Sequence, residues 1–440
     1  MISPKINIRS TLESISAEVL NGHNYIRSDY ARGILNYPAM MVPSVQEPII
    51  EKISKTFPTE VSLMDPFMGA SNTLVTAMKF GMNIFGQDIN PLSLLISQVK
   101  TSYYTLQELI EAQKVLKERI ERDRKTKIEV KFPNIDKWFT RPVQLHLSQI
   151  FRAIKQEPEL KIRKLLWVSL GETIRLSSND RTSTFKLHAR KQSEVQKRNI
   201  SAKEIFFSTL EKSIKDINNF CKILEEKKHI ENNKYKYSAE VKWGNSLAEI
   251  KTKKKFQIMV TSPPYGDNHT TVTYGQFSYL PLQWIPKEDI DDSINLDYLR
   301  TTQEIDRKSL GGRKSPDFEN AQNYLFQTCP TINKLFVSYN SKEKIKAEKI
   351  INFFYDLDKT IDNIIERIVP GGYMVWTIAN RNVNYKEVKN TEILTELLAS
   401  KNVCLVTNLE RDILSKRMPN RNNFSDLMRK EKILIFQNRE

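Results

Sequence analysis

Between Val61 and Asp88 the chain carries a compact pattern that few folds can hold. The apolar run Val61-Ser-Leu-Met-Asp-Pro-Phe67 ends on Asp-Pro, Met68-Gly69-Ala-Ser-Asn-Thr73 turns the chain, and a helical run reaches Phe80. A second run, Asn83-Ile-Phe-Gly-Gln-Asp88, ends on an acid 19 positions after Gly69. Strand, glycine turn, helix, strand and terminal acid form the βαβ arrangement that binds a nucleotide, with the acid placed for ribose hydroxyls. Ser71 stands where a second glycine is usual, which predicts a slightly hindered approach of backbone to ligand. A pyrophosphate would require the full glycine pattern; an adenosine with an amino-acid tail would not.

A second constraint follows Phe256 to Val260, an apolar run that reads as a buried strand. It runs into Thr261-Ser-Pro-Pro-Tyr265 and then Gly266-Asp267-Asn268. Adjacent prolines lack backbone donors and fix their φ angles, so a sheet interior cannot hold them and the chain must leave it there. The turn then holds the Ser262 hydroxyl, the prolyl carbonyls and the Tyr265 ring at a strand's carboxyl end, where open α/β sheets bind ligands. Hydroxyl and carbonyl can each accept from an exocyclic NH2, and an aromatic face can stack on a base. Alone, such a turn reads as an ordinary surface feature; behind the βαβ unit it reads as half of a site.

The remaining pattern predicts an α/β fold, Rossmann-like and doubly wound, with a mostly parallel sheet and a large helical insertion. Further strands are predicted at Glu240–Trp243, ending in Gly244-Asn-Ser246, and at Tyr373–Ile378, Val403–Leu409 and Ile433–Phe436. After an irregular stretch at 20–50, a helix is expected over Val45–Ser54; another, Asp358–Val369, should be stopped by Pro370-Gly-Gly372. From about 92 to 236 the period is helical: Leu106, Leu109, Ala112, Leu116 and Ile120 share one face. A capping box, Ser201-Ala-Lys-Glu204, opens a stripe of Phe206, Leu210, Ile214, Ile217, Cys221 and Leu224. Long inserts of this kind are expected as separate lobes. The divisions are 1–99 for the nucleotide-binding half, 100–236 for the helical insertion and 237–284 for the third and fourth strands with the Pro-Pro turn. A second insertion is placed at 285–350, and the closing strands at 351–440.

Lys and Arg number 68 against 52 Asp and Glu, a net charge of +16, which favours a polyanionic partner such as nucleic acid. Residues 172–191 read as a polar loop whose Arg175, Arg181, Lys186, His188 and Arg190 are groups that contact phosphates and base edges. Leu310-Gly-Gly-Arg-Lys314 reads as a flexible basic loop offering Arg313. The 3 cysteines and 5 histidines show no ligand spacing, so no metal is expected, and scattered free cysteines fit a reducing cytoplasm. No run approaches the length of apolar chain a membrane span requires.

Asp65-Pro-Phe-Met-Gly69, Asp88, Gly244-Asn-Ser246 and Thr261-Ser-Pro-Pro-Tyr265, in that order, resemble the S-adenosylmethionine-dependent amino-methyltransferases of DNA. The TSPPY form resembles the cytosine-N4 branch, since the adenine-N6 branch more usually has Asp or Asn at the place of Ser262. The tail is similar too, through Pro370-Gly-Gly-Tyr373, Arg411-Asp-Ile413, Lys416-Arg-Met-Pro419 and Glu431–Phe436. The resemblance implies a seven-stranded sheet and a cofactor site of Tyr37, Pro38, Asp65, Pro66, Phe67, Gly69, Asp88, Asn245 and Thr261. In it Asp88 would hold the ribose and Asn245, where Asp is common, would lie near the adenine. It implies that Ser262, Pro263, Pro264 and Tyr265 hold the target base, that Lys416 and Arg417 join the DNA contacts, and that the partners are double-stranded DNA and a cognate restriction endonuclease. Ring-carbon methylation is excluded, because it uses a thiolate within Pro-Cys and this chain has only Cys329-Pro330. Other readings are an adenine-N6 enzyme of the same architecture, a tRNA guanine-N2 methyltransferase, and a non-catalytic nucleic-acid-binding protein on the same sheet.

Overall fold

The computed structural model describes residues 7–22, 25–412 and 430–439; Lys416 and Arg417 lie outside the described residues. Its central sheet has seven strands: β1 (Ser62–Asp65), β2 (Asn83–Asp88), β3 (Ala239–Trp243), β4 (Phe256–Thr261), β5 (Ile368–Ile378), β6 (Val403–Asp412) and β7 (Lys430–Asn438). They lie in the order β6-β7-β5-β4-β1-β2-β3, parallel from β5 to β3, with β7 antiparallel to both its neighbours. β1 sits between β2 and β4, with Leu63 opposite Ile84 on one side and Ile258 on the other, so the order reverses beside β1 and opens a crevice at the carboxyl ends. The sheet is the Rossmann-like one expected.

One expected boundary is different. The helix Ser341–Ile365 ends before Ile368, and Pro370-Gly-Gly372 lies inside β5 rather than stopping a helix. The ladder to β4 shifts register there, between Phe256 and Ile258, and Gly371 takes φ +78°. A bulge tolerates a residue without an N–H and one at positive φ, so the same three residues serve a strand.

Both faces of the sheet are covered. The insertion supplies the helices Leu106–Arg122, Arg141–Lys155, Leu160–Ser177 and Ala202–Glu226. Its Trp167, Phe206, Phe220 and Cys221 are buried in one continuous core with Leu63, Ile84 and Ile258 of the sheet. The insertion is therefore a layer of the domain, not a separate lobe, because its apolar stripes are buried against the sheet. The longest helix starts as expected, with the Ser201 hydroxyl accepting from the Glu204 N–H at 3.3 Å. On the other face, Phe353, Phe354 and Ile361 of Ser341–Ile365 and Leu394 of Asn390–Ala399 cover Phe256, Met259 and Trp376. Emptying either core by one Leu→Ala change would cost about 2–5 kcal/mol.

Residues 172–177, expected in a loop, continue the helix Leu160–Ser177. The loop proper is 178–191, pinned by a bridge between Asp180 and Ala189.

Candidate active site

The crevice at the strands' carboxyl ends widens into a cleft of about 860 Å³, part of it open to solvent. Tyr37, Pro38, Pro66, Phe67, Gly69, Asp88 and Asn245 line it, and so do Ser262 and Pro264 from the turn after β4. Segments nearly two hundred residues apart thus share one wall because β1 and β4 are neighbours. Asp65, Thr261, Pro263 and Tyr265 are not on that wall.

Asp65 is fully buried behind it, accepting from the Phe67 N–H at 3.1 Å and the Thr261 hydroxyl at 2.7 Å. The carboxyl thereby fastens the end of β1 to the end of β4. Burial raises its pKa to about 7, against the pull of those donors. Gly69 turns the chain at φ +48°, and its N–H donates to Asp88 Oδ2 at 2.9 Å while the Asn90 N–H donates to Oδ1 at 2.8 Å. Burial raises the Asp88 pKa as well. Ser71 takes the left-handed conformation at φ +56°, at a cost of about 1–2 kcal/mol for a residue with a Cβ. Its hydroxyl bonds to Ser97 inside the core, so it does not obstruct the cleft as expected. Asn245 borders the cleft with its amide engaged at both ends, Nδ2 donating to the Lys308 carbonyl and Oδ1 accepting from the Leu247 N–H.

The facing wall is aromatic. Tyr37 lies 5.8 Å from Tyr274, stacked, and 5.6 Å from Phe277, edge-on. Asn90 Nδ2 donates both to the Tyr37 hydroxyl (2.9 Å) and to the Ser278 hydroxyl (2.8 Å), tying β2 to the helix Tyr274–Trp284. The loop 178–191 rests on that helix: Phe185 meets Phe277 at 6.0 Å, and the Leu187 N–H donates to Gln276 Oε1 at 3.1 Å. Arg181, Lys186 and His188 are exposed on it and Arg190 is half-buried; Arg313 is exposed elsewhere. Arg175 departs from expectation. It is buried, bonded to Glu172 at 3.3 Å, with its guanidinium 4.3 Å from the Phe277 ring centroid, because it belongs to the helix and not the loop.

The turn after β4 is braced from three sides. The Ser262 hydroxyl donates to Tyr265 Oη at 3.4 Å, and Tyr265 Oη donates to Glu431 Oε1 at 3.0 Å. Arg411 Nε lies 3.6 Å from the other oxygen of Glu431. The Tyr265 ring packs against the second core, and burial raises the phenol's pKa well above the usual value. That corrects the expected stacking face: the ring is a strut and not a wall of the cleft. Asn390 Nδ2 donates to the carbonyls of Tyr265 (2.9 Å) and Ala379 (2.8 Å). Arg381, 8% exposed, donates to the Thr270 hydroxyl at 3.2 Å, faces Asp267 at 3.5 Å and lies so close to Gly266 that an added Cβ would be 2.1 Å from its Cζ.

Sequence reasoning missed Asn90, Arg381 and Asn390, and it gave no role to the lining residues Tyr274 and Asn268, although both lie in or just after the stretch that follows β4. Asn268 is 3% exposed, and its Oδ1 accepts no hydrogen bond from a described residue. Only its nearness to Thr261-Ser-Pro-Pro-Tyr265 could have drawn attention to it. The site thus offers a neutral hydroxyl acceptor, a free amide oxygen and an acid at a nucleotide-type turn, while Cys329 is buried in the second core.

No protein-family model matches the chain. It is 31% identical over 417 residues to the type II methyltransferase M.MvaI of Kocuria varians, covering 91% of this chain and 90% of that one. It is also 35% identical over 83 residues to the type II methyltransferase M.MjaII of Methanocaldococcus jannaschii, covering 19% and 15%. With similarity along nearly its whole length, and the site built on the sheet's switch point, the chain belongs to the type II DNA methyltransferase family.

Proposed function

We propose that this protein transfers a methyl group from S-adenosylmethionine to the exocyclic N4 amine of a cytosine flipped out of a specific duplex sequence. The observation that carries the reading is Ser262, a neutral acceptor on the wall shared with Gly69 and Asp88. The cleft's donor set fits the cofactor: a carboxylate for ribose hydroxyls at Asp88, a glycine turn whose nearest side-chain neighbour for an added Cβ is Tyr37 at 3.7 Å, and apolar walls at Phe67 and Pro38. When bound there, it supplies a methyl group on a sulfonium, already a strong electrophile.

The protein's own task is then the amine, whose lone pair is delocalised into the ring. Ser262 Oγ accepts one of its N–H bonds and favours the pyramidal nitrogen that can attack in line. Tyr265 Oη holds the serine's own proton, which leaves Oγ lone pairs free to accept. A proton leaving the amine has a path through Ser262 Oγ and Tyr265 Oη to Glu431 Oε1. Most of the acceleration would come from positioning rather than a strong base. The amine cannot be reached in a stacked duplex, so the base must leave the helix at a cost of a few kcal/mol, offset by contacts of basic loops such as Arg181 and Lys186 with phosphates. The relatives' type II designation supports a modification role beside a restriction endonuclease.

Asn268 Oδ1 favours one second reading, since it is a further acceptor that an adenine N6 amine could use. Mass spectrometry of nucleosides from plasmid DNA decides between them, using methylation-deficient cells that express the protein or its Ser262→Ala variant. N4-methylcytosine in the parent strain alone is the expected result; N6-methyladenine would move the same chemistry to adenine, and a methylated tRNA guanine with unchanged DNA would overturn both.

A further inference from the structure

Among the described residues, the three most exposed large apolar side chains are Val337 (76%), Tyr385 (72%) and Ile345 (69%), and they belong to one neighbourhood. Val337 is on the helix Pro330–Ser338, Ile345 is on the first turns of Ser341–Ile365, and Tyr385 is at the tip of the hairpin Arg381–Val383/Lys386–Val388. Lys386 Nζ donates to the Ser338 carbonyl and pairs with Glu343 at 3.6 Å, Asn384 Nδ2 donates to the Glu343 carbonyl at 3.1 Å, and the Tyr339 hydroxyl donates to the Val383 carbonyl at 2.9 Å.

The hairpin tip is strained. Asn384 and Tyr385 both take positive φ, +51° and +62°, as a two-residue hairpin of this hand requires. Glycine is the unstrained choice at the second position; a tyrosine costs stability there and faces solvent. The tip sets an exposed aromatic ring beside the first turns of the helix Ser341–Ile365.

Charge supplies the partner. Lys342, Ile345, Lys346 and Lys349 recur at helical spacing on the face of Ser341–Ile365 opposite its buried Ala347, Ile351 and Phe354. Lys342, Lys346 and Lys349 form no ion pair with a described residue. The charged neighbours of Lys349 are Asp267 and Arg381, the latter packed on Gly266 directly after the Ser262–Tyr265 turn. The stripe therefore runs about 10 Å along the helix towards the candidate active site, roughly three base steps of duplex axis.

We propose that this face, the lysine stripe with the Tyr385 hairpin, seats the duplex DNA flanking the target base, lysines on phosphates and the Tyr385 ring against the nucleic acid. The inference rests on the DNA reading above and adds this track as a second contact beside that of the loop 178–191. An uncharged or cationic partner would have no use for these lysines.

The test compares the full chain with Lys342→Gln/Lys346→Gln/Lys349→Gln and with Tyr385→Gly, by anisotropy of a fluorescent random-sequence duplex of about 30 base pairs over roughly 50 to 200 mM salt. The triple variant should bind about ten-fold or more weakly at low salt, with the slope of log affinity against log salt shallower by about 2 to 3. Tyr385→Gly should melt no lower than the parent yet bind about five-fold more weakly. Cofactor affinity by calorimetry should stay unchanged in both. An unaltered slope and affinity in the triple variant would overturn the proposal, even if the parent methylates DNA. A reduced slope in a protein whose parent yields no methylated nucleoside would keep the surface and remove the reaction.

Discussion

The phenol of Tyr265 donates to Glu431 Oε1 across 3.0 Å, joining the turn after β4 to β7 at the far end of the sequence. The last strand is thereby part of the candidate catalytic apparatus. Glu431→Gln and Tyr265→Phe should each lower kcat about ten- to hundred-fold with little change in cofactor affinity. Their effects should not add, because both break one chain of hydrogen bonds. Single-turnover rates on duplex DNA for the two variants and their double would check this; additive losses would separate the two residues.

Gly266 should resist any side chain. A Cβ there would meet the Arg381 guanidinium at 2.1 Å, and Gly266 sits at φ +156°. Gly266→Ala is expected to lose about 1–3 kcal/mol of stability. In an Arg381→Ala background, which removes the clashing group, the added loss should fall to the backbone strain alone. Thermal melts of the two singles and the double give the comparison.

Asp88→Ala should lose cofactor affinity before anything else, because Asp88 both borders the cleft and receives the Gly69 N–H. A ten-fold or greater rise in the cofactor dissociation constant, with DNA affinity retained, is the expected calorimetric result. Unchanged cofactor affinity would remove the ribose role.

Stability should depend on pH through Asp65. Its pKa rises from 3.8 to about 7 on folding, so the folded chain holds a proton that the unfolded chain releases. The stability that this group contributes is present in full below the unfolded value and is lost as pH rises through 7. Asp65→Asn keeps an acceptor for Thr261 and Phe67 but cannot ionise. Relative to that variant the parent should lose stability, on the order of a few kcal/mol at most, between about pH 4 and 7, then level off. Asp306, raised to about 7 by burial, adds a slope of the same sign that the comparison cancels.

The sheet was legible because each strand is a short apolar run with a clear stop: Asn83–Asp88 matches its strand at both ends, and the run Phe256–Val260 stops one residue short of its strand. Gly69, Asp88 and Ser262 were legible because a turn chemistry announces them. Arg175 was not, since a cation at the end of a long amphipathic helix looks like a loop cation until Phe277 is seen beneath it. Tyr265 was half legible: its place in the turn was clear, but its partner lies 166 residues away in β7 and nothing local announces the pairing. The same holds for Arg381 and Gly266. Pairings across the sheet decide what such side chains do, and sequence order hides them.

The common core of insertion and sheet has a consequence for engineering. A helical segment that buried its stripes within itself could be exchanged between relatives as a cassette, carrying its sequence preference along. Here Trp167, Phe206 and Phe220 are packed with Leu63 and Ile258, and the loop 178–191 stands on the same helix that supplies Tyr274 to the cleft. Transplanting 100–236 would leave unmatched apolar surface on both donor and host. Any change in what the insertion reads would have to come by single replacements on the loop's outer face, at the exposed Lys186 or His188, or at Arg181, whose side chain pairs with Glu194 at 3.7 Å.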